Sequence, residues 1–268
     1  MGKSESQNLD ALVTATIARV TSELGANDAP HIEAELSAEQ IADMIDHTVL
    51  KPDTLVAQID AICDEARVYN FASVCVNPTW IPRCVDLLVG SNVAMCAVAG
   101  FPLGANSTAA KAFEAADAVA TGAEEVDMVV NVGRLRDGEW QAVHDDVAAV
   151  AEAVHAGGAI LKVILETNLL TDEQIIAGSI LCKTAGADFV KTATGFSGGG
   201  ATVEAVRLMR TTVGPALGVK ASGGVRTASD VRKMAAAGAT RIGASAGVAI
   251  MQDVMGIAAA ASTDGDDY

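Results

Sequence analysis

Eight short apolar runs, each followed by a stretch of helical character, constrain this chain more than any other feature. The runs are MIDHTVL (44–50), FASVCV (71–76), VAMCAVAG (93–100), EVDMVVNV (125–132), AILKVILET (159–167), ADFVKTAT (187–194), LGVKAS (217–222) and ATRIGAS (239–245). Between them lie segments such as NSTAAKAFEAADAVATG, AVHDDVAAVAEAVHAG, TDEQIIAGSILCKTAG and TASDVRKMAAAGAT. Apolar strands that alternate with helices belong to a parallel sheet covered by those helices. Helix ends are marked as well. Thr227 and Asp230 have the spacing of a capping box, and Gly122, Gly186 and Gly238 fall where C-terminal caps belong. Eight strand–helix units in about 230 residues predict an α/β fold closed into a TIM (β/α)8 barrel. An open doubly wound sheet is the alternative, but it usually has fewer strands, and no GxGxxG follows the first one.

Residues 1–37 stand outside this repeat. Leu9, Leu12, Val13, Ile17 and Val20 recur at helical spacing, which predicts an N-terminal helical extension. The barrel domain is expected over 38–262, opening near Ser37 with SAEQIADMI. Residues 263–268 read as a flexible acidic tail.

The charge balance excludes several functions. With 34 acidic and 18 basic residues the formal charge is −16, and no basic run offers a nucleic-acid footprint. Such a halophile-like acidic surface suits a salt-rich cytoplasm, where salt screens self-repulsion. Five cysteines, Cys63, Cys75, Cys84, Cys96 and Cys182, fit neither a zinc pattern nor a disulfide framework, so reduced cytoplasmic thiols are expected. The start MGKSESQNLDALVTA is not a secretory signal, and no apolar run has membrane-spanning length. No cluster of His, Cys and carboxylates has ligand spacing, so no metal is expected. His31, His47, His144 and His155 read as surface or packing residues.

Charges inside the strands carry the functional signal. Asp127, Lys162, Lys191 and Lys220 occupy runs four to seven. Side chains alternate between the faces of a strand. Val126, Met128 and Val130 therefore face the helices, while Asp127 and Asn131 face the barrel axis. Val190 and Thr192 flank an inward Lys191, and Lys162 shares its direction with Glu166. A buried ion-pair plug is the bland explanation for one such lysine. Three lysines and an aspartate on consecutive strands favour chemistry. An amine attacks a carbonyl only when neutral, and a lysine of pKa ~10.4 is neutral in about one molecule in a few thousand at pH 7. Lowering that pKa by three units takes ~4 kcal/mol, which is what one ammonium ~4 Å away supplies at an effective dielectric of ~20. Clustered lysines are thus the equipment of a Schiff-base lyase. Asp127 would oppose the shift if close to the nucleophile and is expected instead to carry protons for the lysine pair.

A second signal lies in the loops. Thr194-Gly195 and Gly198-Gly199-Gly200 follow strand six, strand seven ends in Ser222-Gly223-Gly224-Val225-Arg226, and strand eight ends in Gly243-Ala244-Ser245. Glycines let backbone N–H groups approach an anion, and the loops after strands seven and eight are the usual phosphate site of this barrel. Ordinary turn chemistry explains any one loop; three adjoining loops favour phosphate.

In this order, GFPLGANST, EVDMVVNVG, LKVILET, ADFVKTATGF and GVKASGGVRT resemble the deoxyribose-phosphate aldolase family over roughly residues 40–260. The resemblance implies a TIM-barrel class I aldolase that needs no metal or other cofactor. It would reversibly split 2-deoxy-D-ribose 5-phosphate into acetaldehyde and D-glyceraldehyde 3-phosphate. It implies Lys191 as the Schiff-base lysine, Lys220 as the lysine that perturbs it, Asp127 as the proton-relay acid and Lys162 as a supporting lysine. Asp46 and Thr48 of IDHTVLKP, Cys75 of SVCVNP and Thr192 would line the pocket, although Cys75 also reads as a small core residue. Gly195, Gly223, Gly224, Gly243 and Ser245 would hold the phosphate. Phe196 and Ala246 stand where one branch of the family has Lys and Ser, so backbone N–H groups and Arg226 would carry more of that binding. In some members a tail ending in tyrosine assists proton transfer, which makes Tyr268 a catalytic candidate beside the bland reading of a solvated end. The expected partners are a small phosphosugar and further copies of the chain, in a dimer or tetramer. A transaldolase-like enzyme and a non-catalytic phosphosugar-binding barrel are the competing functions.

Overall fold

A computed structural model describes residues 3–25 and 33–257. Among them eight parallel strands form a closed barrel in sequence order, with the eighth pairing back onto the first. The strands are β1 (Ile45–Val49), β2 (Ser73–Val76), β3 (Ala94–Ala99), β4 (Glu125–Val129), β5 (Ile160–Ile164), β6 (Phe189–Lys191), β7 (Gly218–Ser222) and β8 (Arg241–Ala244). Each lies inside one of the eight runs. The open doubly wound sheet is therefore excluded.

The helices are α1 (Lys3–Gly25), α2 (Ala38–Ala42), α3 (Val56–Tyr69), α4 (Ile81–Leu88), α5 (Thr108–Ala120), α6 (Val132–Asp137), α7 (Trp140–His155), α8 (Asp172–Thr184), α9 (Val203–Val213), α10 (Ala228–Ala236) and α11 (Gly247–Val254). Their starts follow side-chain chemistry. Ser37 with Gln40, Thr171 with Gln174 and Thr227 with Asp230 form capping boxes, each satisfying two otherwise orphaned N–H groups. Gly122 and Gly238 stand just past the caps of α5 and α10 at φ +116° and +113°, a region that side chains with a Cβ avoid.

The main core lies between strands and helices. Val126, Met128, Val130, Val163, Val190 and Val219 fill it with the inner faces of α5, α7, α8 and α9. The N-terminal helix α1 closes over α7, α8 and α9. Val13 and Val20 are buried there, whereas Leu12, expected on the same face, points to solvent. Among the described residues no helix is long and apolar enough to cross a membrane.

Two strand readings need correction, because the strands end earlier than their apolar runs. β4 stops at Val129, so alternation does not carry Asn131 to the axis. Its side chain instead accepts from the Arg134 N–H and caps α6. β5 stops at Ile164. Glu166 then takes a left-handed conformation at φ +60°, which turns it away from Lys162. Its carboxylate accepts from the Thr194 N–H at 3.2 Å and the Thr194 hydroxyl at 2.5 Å, tying the loop after β5 to the loop after β6.

Candidate active site

Inward alternation brings a polar or charged group from every strand to the barrel axis, and two, Glu125 and Asp127, from β4. Register then sets the neighbours. Lys191 and Lys220 are direct partners across β6 and β7, and Asp127 and Lys162 are partners across β4 and β5. The four charged residues expected to converge do so at Asp127. Its Oδ1 receives Lys162 Nζ at 2.8 Å, and its Oδ2 receives Lys191 Nζ at 2.8 Å and Lys220 Nζ at 2.7 Å. Asp127, Lys162 and Lys220 are fully buried. Lys191 ends β6, so it lies nearest the C-terminal mouth, the face where such barrels carry their chemistry.

The floor of the cluster contains charges that the sequence reading did not select. Arg241 reaches Asp46 Oδ1 at 2.5 Å and Glu125 Oε1 at 2.9 Å. Glu125 Oε2 reaches Lys162 Nζ at 2.6 Å, and Asp46 also pairs with Lys220. Both new members were detectable. Glu125 precedes Asp127 by two residues on the same face, and Arg241 breaks the apolar run of β8. Asp46, expected to line the pocket, is fully buried and serves as a counter-ion to Lys220 and Arg241.

Electrostatics follow from this packing. Burial opposes ionisation of Asp127, but Lys162, Lys191 and Lys220 outweigh it and hold the carboxyl well below the usual carboxylate range. Burial likewise opposes the charge on Lys220, while Asp127 and Asp46 prevail and hold its ammonium above the ordinary lysine range. Lys162 is raised in the same way, with Asp127 foremost against burial. One carboxylate oxygen of Asp127 stands between Lys191 and Lys220 and accepts from both. That position suits Asp127 to pass protons between them.

The remaining candidates divide by what their polar atoms already do. The Thr192 hydroxyl donates to the Ser222 carbonyl at 2.9 Å and accepts from the Ser222 N–H at 2.9 Å, stitching β6 to β7. The Thr48 hydroxyl donates to the Asp46 carbonyl on its own strand. Cys75 is fully buried in a small inner cluster with Leu50, Cys96 and Val98, against which Phe101 packs. Cys96, also unselected, approaches both Asp127 and Lys162. Donor atoms of Cys75, Cys96 and Asp127 lie within 4.8 Å of one another, a grouping that sequence spacing concealed. Both Asp127 oxygens already serve ammonium groups, so this set does not suit a metal ion. All five cysteines are free and buried.

At the mouth the glycine loops after β6 and β7 meet, whereas Gly243 lies within β8 and not in the loop that follows it. Gly195, Gly223 and Gly224 have φ of +87°, +87° and +75°. The Ala201 N–H donates to the Gly223 carbonyl at 3.0 Å, and a Cβ on Gly200 would lie 2.3 Å from that oxygen, so the loops after β6 and β7 are in backbone contact. Gly243 pairs with Ser222 across β7 and β8, and a Cβ there would press on the Lys220 stem at 3.0 Å. Ser245 is exposed just before α11, whose cap position is Ala246. Phe196 stands edge-to-face on Phe101, 5.3 Å between ring centres.

Among the histidines, His47 bonds Glu65 on the outer side of β1, and His144 and His155 pair with Asp145 and Asp188 away from the lysines. His31 and Tyr268 lie outside the described residues.

Residues 41–256 match the family described as DeoC/LacD family aldolase. Deoxyribose-phosphate aldolase 1 of Bacillus licheniformis is 59% identical over 200 residues, 75% of this chain and 89% of that protein. The deoxyribose-phosphate aldolase of Clostridium perfringens strain 13 is 55% identical over 203 residues, 76% of this chain and 90% of that protein. A solved structure from Coccidioides immitis superposes with TM-score 0.84 at 42% identity, covering 93% of this chain and 97% of that one. The deoxyribose phosphate aldolase of Aeropyrum pernix, described as having a unique tetrameric structure, superposes with TM-score 0.76 at 30% identity, covering 88% and 95%. A match over residues 41–256, which spans all eight strands, decides the family: this chain belongs to the DeoC/LacD family of aldolases.

Proposed function

We propose that this chain is a class I aldolase. It reversibly cleaves 2-deoxy-D-ribose 5-phosphate to acetaldehyde and D-glyceraldehyde 3-phosphate through a Schiff base on Lys191. One observation carries the mechanism: the lysine at the mouth shares a carboxylate oxygen with the buried lysine beside it. The substrate follows from the names of the relatives.

As a free amine, Lys191 adds to the aldehyde carbon of the open-chain sugar, and loss of water gives an iminium. The iminium withdraws electrons as the carbon–carbon bond breaks and the hydroxyl proton of the departing aldehyde is removed. The enamine that remains is protonated on carbon, and water releases acetaldehyde and the amine. Each stage moves a proton near Lys191, and Asp127 with Lys220 forms the adjacent relay. The backbone N–H groups of the glycine loops after β6 and β7 and of the loop after β8 supply the phosphate site.

Borohydride reduction with acetaldehyde should leave a stable adduct mapping to Lys191. An adduct on Lys162 or Lys220 overturns the assignment, and none on any lysine favours a non-catalytic barrel. Cleavage of deoxyribose 5-phosphate by the same preparation separates this enzyme from a transaldolase-like one.

The five free thiols support a reducing, cytoplasmic setting. The tetrameric relative supports a homo-oligomer, dimer or tetramer. Sedimentation velocity should then give a mass of two or four chains, and a single-chain mass refutes it.

A further inference from the structure

The charged cluster does not end at the lysines. Two chains of alternating sign run from the base of the barrel to Lys191. One passes from Arg241 to Glu125 at 2.9 Å, to Lys162 at 2.6 Å, to Asp127 at 2.8 Å and to Lys191 at 2.8 Å. The other passes from Arg241 to Asp46 at 2.5 Å, then to Lys220, and from Lys220 to the same Asp127 at 2.7 Å. Every strand faces this network. β1 contributes Asp46, β4 Glu125 and Asp127, β5 Lys162, β6 Lys191, β7 Lys220 and β8 Arg241, while β2 and β3 present the thiols Cys75 and Cys96. That makes four cations against three carboxylates. With Lys191 as the free amine, Lys162, Lys220 and Arg241 balance Asp46, Glu125 and Asp127 one for one.

We propose that Glu125 and Arg241 are positioning residues which set this balance, and with it the pH at which Lys191 becomes a nucleophile. Both stand at the first residues of their strands, on the N-terminal face, where such barrels usually carry stability rather than function. Arg241 is held there by its two carboxylates and by the Phe189 ring, 5.7 Å from its guanidinium carbon. Its charge acts on Lys191 through the low-dielectric interior, without touching substrate.

The inference rests on the Schiff-base reading, and its test is the pH dependence of kcat/KM for cleavage of deoxyribose 5-phosphate. Arg241→Gln leaves three carboxylates facing two cations when Lys191 is neutral. The surplus negative charge retains the proton on Lys191, so the acid limb moves to higher pH by on the order of one pH unit. Glu125→Gln leaves surplus positive charge and moves the limb to lower pH. The double variant E125Q/R241Q restores balance and returns the limb towards the wild-type position. Arg241→Lys keeps the charge and leaves the limb in place. The substrate phosphate titrates identically in every case. A merely structural plug lowers the melting temperature of each variant and leaves the limbs where they are. That outcome, or single variants shifting in the same direction, overturns the proposal. Should Arg241→Gln not fold, the acid shift of Glu125→Gln decides alone, since a loosened structure gives no such shift. A wild-type protein without a trapped adduct on Lys191 refutes the Schiff-base reading itself. An adduct together with unmoved limbs refutes the charge balance only.

Discussion

Lys220→Leu is expected to fold and to lose about 10²–10⁴-fold in turnover at pH 7, the range of a positioned proton-transfer group. The leucine occupies a site that is fully buried, and the carboxylates it abandons keep other partners. Asp46 retains Arg241, and Asp127 retains Lys162 and Lys191. Chemistry suffers for two reasons. The relay loses the ammonium that shares Asp127 Oδ2 with Lys191. The cluster also gains a surplus negative charge, which ties the proton to Lys191 as half of a plain ion pair with Asp127. The second effect has a signature. Raising the pH should recover part of the rate, because hydroxide removes the proton that the neighbouring lysine no longer helps to displace. Trapping with borohydride at pH 7 should weaken in parallel, since adduct formation needs the same free amine. Near-normal turnover at pH 7 would mean that burial alone activates Lys191.

What the sequence reveals about this molecule depends on how each residue departs from its local pattern. The barrel is legible because eight apolar runs repeat with capped helices between them. Lys191, Lys220, Lys162 and Asp127 are legible because a charge inside an apolar run has one physical resolution, an inward cluster. Glu125 and Arg241 obey the same rule but stand at strand starts, where a charge ordinarily meets solvent. Lys111 gives no signal, since a lysine on an amphipathic helix reads as solvated. In the structure it is buried, donating to the Val129 carbonyl at 3.0 Å and to Asp146 at 2.7 Å, and it pins the end of β4. Glu166 is misread because alternation assumes a strand that continues, and its left-handed backbone breaks the count. Cys96 carries no charge, so nothing in the sequence separates it from an ordinary small core residue. Its place beside Asp127 comes from the pairing of β3 with β4.

Asp127→Asn is expected to be the most damaging single change to both activity and stability. It removes the charge on which three buried ammonium groups converge. Glu125 still serves Lys162 and Asp46 still serves Lys220. For Lys191, Asp127 supplies the ion pair found among the described residues. Removing one partner from a buried ion network typically destabilises by about 3–5 kcal/mol, here roughly 6–20 °C in Tm for a chain of this size. The pH dependence has a definite sign. The folded-state carboxyl of Asp127 lies well below its usual range. Its stabilisation is therefore present above the unfolded carboxylate pKa of ~3.9 and is lost as pH falls through the folded value. The folded-state ammonium groups of Lys162 and Lys220 lie above theirs. Their stabilisation is full below an unfolded pKa of ~10.4 and is lost as pH rises through the folded values. The gap in Tm between wild type and Asp127→Asn should thus be widest near neutrality and narrow in acid, where the wild type loses what the variant lacks. On the alkaline side the gap should narrow as well, because above the unfolded lysine pKa of ~10.4 the wild type loses the extra lysine stabilisation that Asp127 provides and the variant lacks. Melting curves followed by circular dichroism from acid to alkaline pH test this directly. A gap that stays constant across that range would mean that Asp127 fills space in the barrel without anchoring the lysine charges.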